Sequence, residues 1–309
     1  MKYEIHSRLY DHFPLDWEKI FQRKAPLAVE VGCGNGEFLI NWAQSQPDWN
    51  FLGIELSLAS VERIQSRIFS HHLQHVRVLR DDARFVLPEL FPDLSITQLV
   101  MNFPDPWPKK KHQERRLLNS SFVATLGAVL EIGGSFELFT DQQWYAAEAQ
   151  EYFIANSLFR CGEIDDNFKR EVTTKYERKW REQYRQIFHL KAIKEHHQSI
   201  ARLLENTDMP HVYIPGHIIP SEIENLKGRK RINADRGFAI KEVFSTSNKQ
   251  AFLLRTITSD RNYVQNFFLL VAQHGQGFIV KIDSGFQPYR TPAVKMAIEE
   301  ISKILQSTS

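Results

Sequence analysis

The residues from Asn102 to Arg116, NFPDPWPKKKHQERR, place a carboxylate, a tryptophan and many cations side by side. The carboxylate is Asp105, in a turn with three prolines, and the cations that follow are Lys109, Lys110, Lys111, Arg115 and Arg116. The segment Gln98–Met101, with its apolar residues Leu99, Val100 and Met101, predicts a buried strand in front of this turn. Ligands of α/β proteins collect at such strand ends. The composition therefore indicates chemistry on an anionic polymer, with the cations holding phosphates.

Each part of this segment also has an ordinary alternative. The cations could form a solvated loop, and Trp107 could pack against the protein instead of stacking on a base. A second basic run, Lys227–Arg231, could extend an RNA footprint or simply mark a surface turn. The closeness of the cations to Asp105 favours the functional interpretation for the first run only.

A second chemical segment lies near the N-terminus. Residues Leu27–Val31 predict a buried strand, and Gly32, Gly34 and Gly36 follow it before a helical pattern begins. Glycines allow a strand-to-helix turn to approach a ligand closely, although an ordinary tight turn would look the same. The GxGxG spacing differs from the dinucleotide fingerprint. Glu30 inside the strand argues against pyrophosphate and favours a ligand with a positive group or donor hydroxyls, because a buried acid needs a partner.

Further acids follow the next predicted strands. Glu55 ends the strand Asn50–Ile54, where an acid commonly binds ribose hydroxyls. Asp82 follows the strand His75–Leu79, and the alternative is that it caps a helix that starts at Ala83. A glycine turn with these acids suits S-adenosylmethionine, whose amino and sulfonium groups are cationic and whose ribose has two hydroxyls. In this arrangement Asp82 would lie near the adenine and Asp105 across from the sulfonium.

Six fragments resemble the bacterial tRNA (guanine-N7)-methyltransferase family in order and spacing: VEVGCGNGEF, GIELS, DDA, NFPDPWPKKKHQERR, FTDQQWYA and TKYE. The resemblance covers roughly residues 25 to 192, and NFPDPWPKK is its most specific part. It implies that S-adenosylmethionine is bound by Glu30, Gly32, Gly34, Gly36, Glu55, Asp82 and Asp105. It also implies that Asp105 is catalytic and that the guanine is contacted by Lys109, Asp141, Thr174, Lys175, Tyr176 and Glu177.

The activity implied by the resemblance is methyl transfer to N7 of a tRNA guanine, at position 46 of the variable loop, which gives 7-methylguanosine. Two alternatives come from other classes of protein. A non-catalytic RNA-binding module could retain the same fold, but it would not need an acid at every strand end. A small-molecule methyltransferase or aminopropyltransferase would share the glycine turn, but it would not need the cations beside Asp105.

The remaining features set bounds on the protein class. The chain has 309 residues, 42% of them hydrophobic, and a net charge of only +2, so any RNA contact must come from local clusters. Two cysteines cannot form a disulfide framework, and no histidine or cysteine spacing predicts a metal site. Neither a signal peptide nor a membrane span is expected. These features predict a cytoplasmic protein and show no obligate protein partner, and the resemblance to the methyltransferase family implies that tRNA is the partner.

The predicted fold is α/β: a Rossmann-like class I methyltransferase sheet with helices on both faces, plus a smaller C-terminal α+β domain. We place the methyltransferase domain, with a short N-terminal arm, at residues 1–195. The C-terminal extension, which could contact RNA, occupies residues 196–309. Apolar residues at roughly helical spacing predict an amphipathic helix within residues 172–192.

Overall fold

The computed structural model describes residues 3–170, 172–173, 177, 186–204, 208 and 210–307. The chain divides into two compact units. The first unit contains residues up to Ser7 and Pro14–Arg202, and the second contains Arg8–Phe13 and Leu203 onwards. Among the described residues, no helix combines the length and the apolar composition that a membrane crossing requires.

The described part of the first unit is built on an eight-stranded sheet with the order β1-β4-β3-β2-β5-β6-β8-β7. Its strands are β1 (Glu4–Ile5), β2 (Leu27–Val31), β3 (Asn50–Ile54), β4 (Val76–Leu79), β5 (Ile96–Asn102), β6 (Leu130–Thr140), β7 (Phe159–Cys161) and β8 (Phe188–Lys194). Strands β1 to β6 are parallel, whereas β7 and β8 are antiparallel to their neighbours. We call the edge where β2 to β6 end the carboxyl edge.

Helices cover both faces of this sheet. They are α1 (Trp17–Phe21), α2 (Glu37–Ser45), α3 (Leu58–Ser70), α4 (Ala83–Leu90), α5 (Ser120–Val129) and α6 (Gln143–Ile154). The chain also forms 3-10 turns at Ser7–Leu9 and Lys110–Arg115. Apolar residues of α2 and α3 share a core with Ala28 and Val100. On the opposite face, Phe136 contacts Phe122 of α5 and Phe153 of α6. The fold class predicted from the sequence is confirmed.

The strand β8 corrects one prediction. We expected an amphipathic helix within residues 172–192, but Phe188–Lys194 forms a strand that pairs antiparallel with β6. Five of its seven residues are buried, and the pairing of His189 with Phe139 places it inside the sheet. The apolar residues at helical spacing also fit a strand, so tertiary pairing decided between the two structures. Trp180 and Tyr184, which carried part of the pattern, lie outside the described residues.

The second unit contains a six-stranded antiparallel sheet with the order β10-β11-β12-β13-β14-β9. Its elements are β9 (His211–Pro215), α7 (Pro220–Glu224), β10 (Lys230–Ile232), β11 (Arg236–Ser245), β12 (Ala251–Asp260), β13 (Tyr263–His274), β14 (Gly277–Ile282) and α8 (Pro292–Gln306). Strict alternation of buried residues in β12 shows that one face forms the core. The apolar side of α8 packs into that core through Val294, Ala297 and Ile301.

The predicted domain boundary and the structural division differ by a short segment. We predicted a boundary after residue 195, whereas the compact units divide after Arg202. Ser199 Oγ donates to Asp93 over 2.7 Å, and Arg202 donates both to Asp93 and to the Phe91 carbonyl. These hydrogen bonds connect residues 196–202 to the first unit. In the N-terminal arm, Arg8 bonds to Tyr263 and therefore groups with the second unit.

Candidate active site

The centre of the carboxyl edge is a buried contact between β2 and β5. Glu30 is only 2% exposed, and its Oε1 accepts a hydrogen bond of 2.8 Å from Asn102 Nδ2. Glu30 Oε2 and Asn102 Oδ1 are buried and have no hydrogen-bond partner among the described residues. Burial raises the pKa of Glu30 to about 7, although the Asn102 hydrogen bond and the charge of Arg170 oppose this increase. Strand order reverses between β2 and β5, which is where ligands bind in such sheets.

The glycine turn leads from β2 into α2 beside Glu30. Gly32, Gly34 and Gly36 have φ values of +72°, +53° and +74°, which other residues rarely adopt. A Cβ at Gly32 or Gly34 would point into open space, whereas one at Gly36 would lie 2.7 Å from Ile64 Cγ1. The first two glycines therefore border free space at the carboxyl edge, and the third allows α2 and α3 to pack closely.

Glu55 connects the end of β3 to this turn. One carboxylate oxygen accepts from the Gly34 amide over 2.8 Å, and the other accepts from the Leu56 and Ser57 amides. The carboxylate remains partly exposed. Glu55 thus stabilises the turn, and its side chain still reaches solvent at the carboxyl edge.

Asp82 follows β4 and is already bonded within its own helix. Its carboxylate caps α4 by accepting from the Arg84 amide over 2.9 Å, and it pairs with the Arg84 guanidinium at 2.6 Å. The helix-capping alternative is therefore confirmed. A contact between Asp82 and a cofactor stays a prediction, and it would have to coexist with these two interactions.

The residues around Glu30 fit S-adenosylmethionine. The unpartnered oxygen of the buried Glu30 needs a hydrogen-bond donor, and the cationic amino group of the cofactor is one. The free space beside Gly32 and Gly34 allows close backbone approach, while the partly exposed Glu55 can accept from hydroxyls. The acids thus match the cationic group and the hydroxyl donors of this cofactor, and the glycines leave room for it.

Arg170 lies close to Glu30, and sequence reasoning did not single it out. Its guanidinium carbon is 3.7 Å from the ring centroid of Phe139 on β6 and 4.6 Å from that of Phe38 on α2. Arg170 donates twice to Glu177 Oε2, at 2.9 and 2.7 Å. Burial lowers the pKa of Arg170, and the charges of Glu177 and Glu30 oppose that decrease. An arginine in a polar stretch gives no local indication of this burial, so only the fold reveals it.

Glu177 is the one described residue of the TKYE fragment. It is 1% exposed and held by the double hydrogen bond from Arg170. Thr174, Lys175 and Tyr176 lie outside the described residues. Asp141, the other predicted guanine contact on an acid, follows β6 at the carboxyl edge and is partly exposed.

The turn around Asp105 has two residues in an unfavourable backbone conformation. Phe103 and Trp107 have φ values of +51° and +44°, a region that bulky side chains rarely occupy. The Phe103 amide donates to the Phe139 carbonyl over 2.7 Å, which anchors the turn to β6. Asp105 between them is exposed, and no described residue pairs with its carboxylate. Strain of this kind collects at functional sites, so this geometry supports a role for Asp105.

The two adjacent arginines of the basic segment differ sharply. Arg116 is 7% exposed, pairs with Glu148 at 2.6 Å and donates to the Pro106 and Trp107 carbonyls. Arg115 is exposed and lies over the Trp107 ring at 4.9 Å. The guanidinium of Arg116 thus donates to acceptors within the protein. We therefore withdraw Arg116 from the predicted phosphate contacts and infer that it stabilises the turn.

The other predicted phosphate contacts are accessible. Lys109 and Lys111 are exposed, and no described acid pairs with either. The side chain of Lys110 lies outside the described part of the chain. Trp107 is half-buried between Arg115 and His112, whose ring centroid is 5.8 Å away. Packing therefore accounts for part of the Trp107 surface, and the remainder is open at the site.

Comparisons with known proteins point in one direction. A family model described as "Putative methyltransferase" matches residues 24–190. The chain is 38% identical to the tRNA (guanine-N(7)-)-methyltransferase of Thermotoga maritima over 98% of this chain and 97% of that protein. It is 33% identical to the protein of the same name from Thermus thermophilus over 98% of this chain and 96% of that protein. Among solved structures, the 16S rRNA methyltransferase KamB is similar with a TM-score of 0.47 and 15% identity, over 62% of this chain and 99% of that one.

Proposed function

The chain belongs to the tRNA (guanine-N(7)-)-methyltransferase family, and we propose that methyl transfer to the guanine takes place beside Asp105 at the carboxyl edge. One observation supports this location. Glu30, which is buried and has one oxygen without a hydrogen bond, lies at the same edge of the sheet as Asp105, which is exposed in a strained turn. The cofactor is S-adenosylmethionine, which supplies an electrophilic methyl group on a sulfonium. Glu30 and the glycine turn would hold one end of it, and Glu55 would accept from its hydroxyls.

Asp105 has an electrostatic role in this proposal. Guanine N7 carries an exposed lone pair at neutral pH, so its attack on a methyl group needs no general base. The ring becomes cationic during the transfer, and a carboxylate nearby stabilises that charge. The backbone strain at Phe103 and Trp107 is consistent with a turn that keeps Asp105 at one position. Alignment of the reacting atoms accounts for the rest of the catalysis.

Arg170 acts as a positioning residue in this scheme. It fixes the buried carboxylate of Glu177 and packs between Phe38 and Phe139. Through this packing, the fragment that carries Glu177 is connected to the helix that follows the glycine turn. Asp141 would then contact the guanine, because its partly exposed carboxylate can accept hydrogen bonds from base amino groups. Glu177 is 1% exposed and bonded to Arg170, so we withdraw it as a direct guanine contact and leave that role to Thr174, Lys175 and Tyr176 of the same fragment.

The exposed cations would hold the RNA backbone. We assign this role to Lys109, Lys110, Lys111 and Arg115, with Arg116 supporting the turn from behind. Phosphate contacts orient an RNA without reading its sequence. We propose the guanine at position 46 of the tRNA variable loop as the acceptor and the cytoplasm as the location of the reaction.

A methyl-transfer assay tests the proposal. Purified protein is incubated with labelled S-adenosylmethionine and tRNA transcripts that carry guanine, adenine or 7-deazaguanine at position 46. We expect label only in the guanine transcript, because 7-deazaguanine has the same shape but lacks the N7 lone pair. Equal labelling of the guanine and 7-deazaguanine transcripts would exclude N7 of this base as the acceptor.

A further inference from the structure

The sheet of the second unit has two faces, and α8 packs against only one of them. The second face, which we call the open face, includes Phe244, Leu253, Arg255, Phe268, Leu270, Lys281 and Phe286. Strand pairing places Phe244 opposite Leu253 and Arg255 opposite Phe268. Phe244 is 52% exposed and Phe286 39%. A contiguous apolar surface of this kind generally marks an interaction site.

Aromatic rings form a connected group on the open face. The centroid of the Phe268 ring lies 6.1 Å from that of Phe244 and 5.1 Å from that of Phe286. Their interplanar angles of 48° and 45° show that the rings are tilted and do not stack flat on one another. Part of each outer ring therefore remains available to another flat group.

Two cations on the open face have no ion-pair partner among the described residues. Arg255 is exposed and Lys281 is half-buried, and no described acid pairs with either of them. Glu242 lies opposite Arg255 in the strand register but pairs with Lys227 at 2.7 Å, and the carboxylate of Asp283 accepts from the Gly285 amide. Lys281 lies opposite Leu270 and Arg255 opposite Phe268, so each cation neighbours an apolar side chain.

Aromatic rings interspersed with unpaired cations suit one class of ligand in particular. Unpaired nucleobases stack on aromatic side chains of a sheet, while adjacent cations neutralise the phosphates between them. A purely apolar protein partner would bury Arg255 and Lys281 without compensation. We propose that the open face binds a segment of the RNA substrate whose bases are unpaired. This inference rests on the proposed function for the identity of the RNA.

The experiment compares full-length variants in tRNA binding and in methyl transfer. Phe244→Ala, Phe286→Ala and Arg255→Ala alter the open face, and Phe69→Ala is the matched control because Phe69 is 68% exposed on α3 of the first unit. We expect each phenylalanine variant to weaken tRNA binding about tenfold. Arg255→Ala should also lower the salt dependence of binding by about one counterion. Affinity for S-adenosylmethionine, kcat at saturating tRNA and the Phe69→Ala variant should remain unchanged.

A competition experiment identifies the part of the RNA involved. We expect a single-stranded oligouridine to displace tRNA from the wild-type protein more effectively than duplex RNA of equal length, and the Phe244→Ala variant to lose this difference. Unchanged tRNA affinity in all three open-face variants would overturn the inference. The same holds if Phe244→Ala converts a dimer into a monomer in sedimentation without affecting tRNA binding, because the occupant would then be a second copy.

The two proposals fail in different ways. If the wild-type protein methylates tRNA and the open-face variants bind it normally, only the open-face inference is wrong. If the wild-type protein binds tRNA through the open face but transfers no methyl group, the proposed function is wrong and the inference stands. Thermal unfolding of each variant separates a lost contact from a lost fold.

Discussion

At the residue scale, Glu30 is the most unusual group at the carboxyl edge. It lies in a parallel strand with every residue buried, and only one of its two oxygens has a hydrogen bond. Such burial disfavours the charged form, which is why its pKa rises to about 7. A cationic ligand would reverse this effect by pairing with the free oxygen.

The raised pKa of Glu30 predicts a pH-dependent stability. An acid whose folded pKa exceeds its unfolded value of 4.5 makes the protein less stable as pH rises from 4.5 towards 7. We expect the Glu30→Gln variant of the cofactor-free protein to gain about 3 kcal/mol in unfolding free energy relative to wild type across this interval. Denaturant unfolding at several pH values measures the difference. A constant difference from pH 4.5 to 8 would contradict the prediction.

Asp105 should matter for turnover and hardly at all for stability. Its carboxylate is exposed and unpaired among the described residues, so Asp105→Asn should change the unfolding free energy by less than about 0.5 kcal/mol. Loss of charge stabilisation should reduce kcat about 100-fold or more. Asp48→Asn, a matched change of an exposed acid outside the carboxyl edge, is the control. Normal single-turnover methylation by Asp105→Asn would remove Asp105 from the catalytic role.

At the element scale, the carboxyl edge depends on how the glycine turn joins β2 to α2. The turn brings the Gly34 amide onto Glu55, and the same turn lets α2 approach α3. Helix, turn and strand therefore cannot be altered independently. The positive φ values at three alternate positions are the local requirement, and the tight contact at Gly36 is the tertiary one.

Two alanine substitutions separate these requirements. Gly34→Ala should cost about 1 kcal/mol of stability because φ is +53° but the added Cβ meets open space. Gly36→Ala should cost more, about 3 kcal/mol, because φ is +74° and the Cβ would lie 2.7 Å from Ile64 Cγ1. Chemical denaturation of both variants provides the measurement. Equal losses for the two variants would show that packing against Ile64 has no influence.

At the scale of the whole molecule, RNA binding must come from local clusters because the net charge is only +2. The exposed cations after Asp105 and the open face of the second unit are the two clusters that we propose for this role, one in each unit. The Thermotoga maritima and Thermus thermophilus proteins match this chain over nearly its whole length, so the matched region includes the second unit.

Salt dependence measures the contribution of the first cluster. Lys109→Ala and Lys111→Ala should each reduce the slope of log Kd for tRNA against log salt concentration by about one. Lys24→Ala, which removes an exposed lysine just before β2, is the control of equal charge. Binding isotherms at several salt concentrations give the slopes. If Lys24→Ala changes the slope as much as Lys109→Ala does, the change reflects the lower overall charge of the protein and not the loss of a phosphate contact.

The sequence alone determined where β2 to β5 lie along the chain, the glycine turn, and acids at or near the ends of β2, β3 and β4. These features follow from short-range rules: apolar runs of strand length, glycines where φ must be positive, and acids placed directly after a strand. The same rules predicted that Asp82 could cap α4, and the structure shows that it does. Local chemistry was sufficient for each of them.

Only the tertiary structure decided the roles of residues that look alike in the sequence. Arg115 and Arg116 are neighbours with the same charge, yet Glu148 of α6, far along the chain, buries Arg116 and leaves Arg115 exposed. Arg170 became part of the site because Phe38 and Phe139 enclose it. Residues 188–194 became a strand because β6 offered a partner. The physical reason is the same in each case: burial and pairing depend on residues that are distant in sequence.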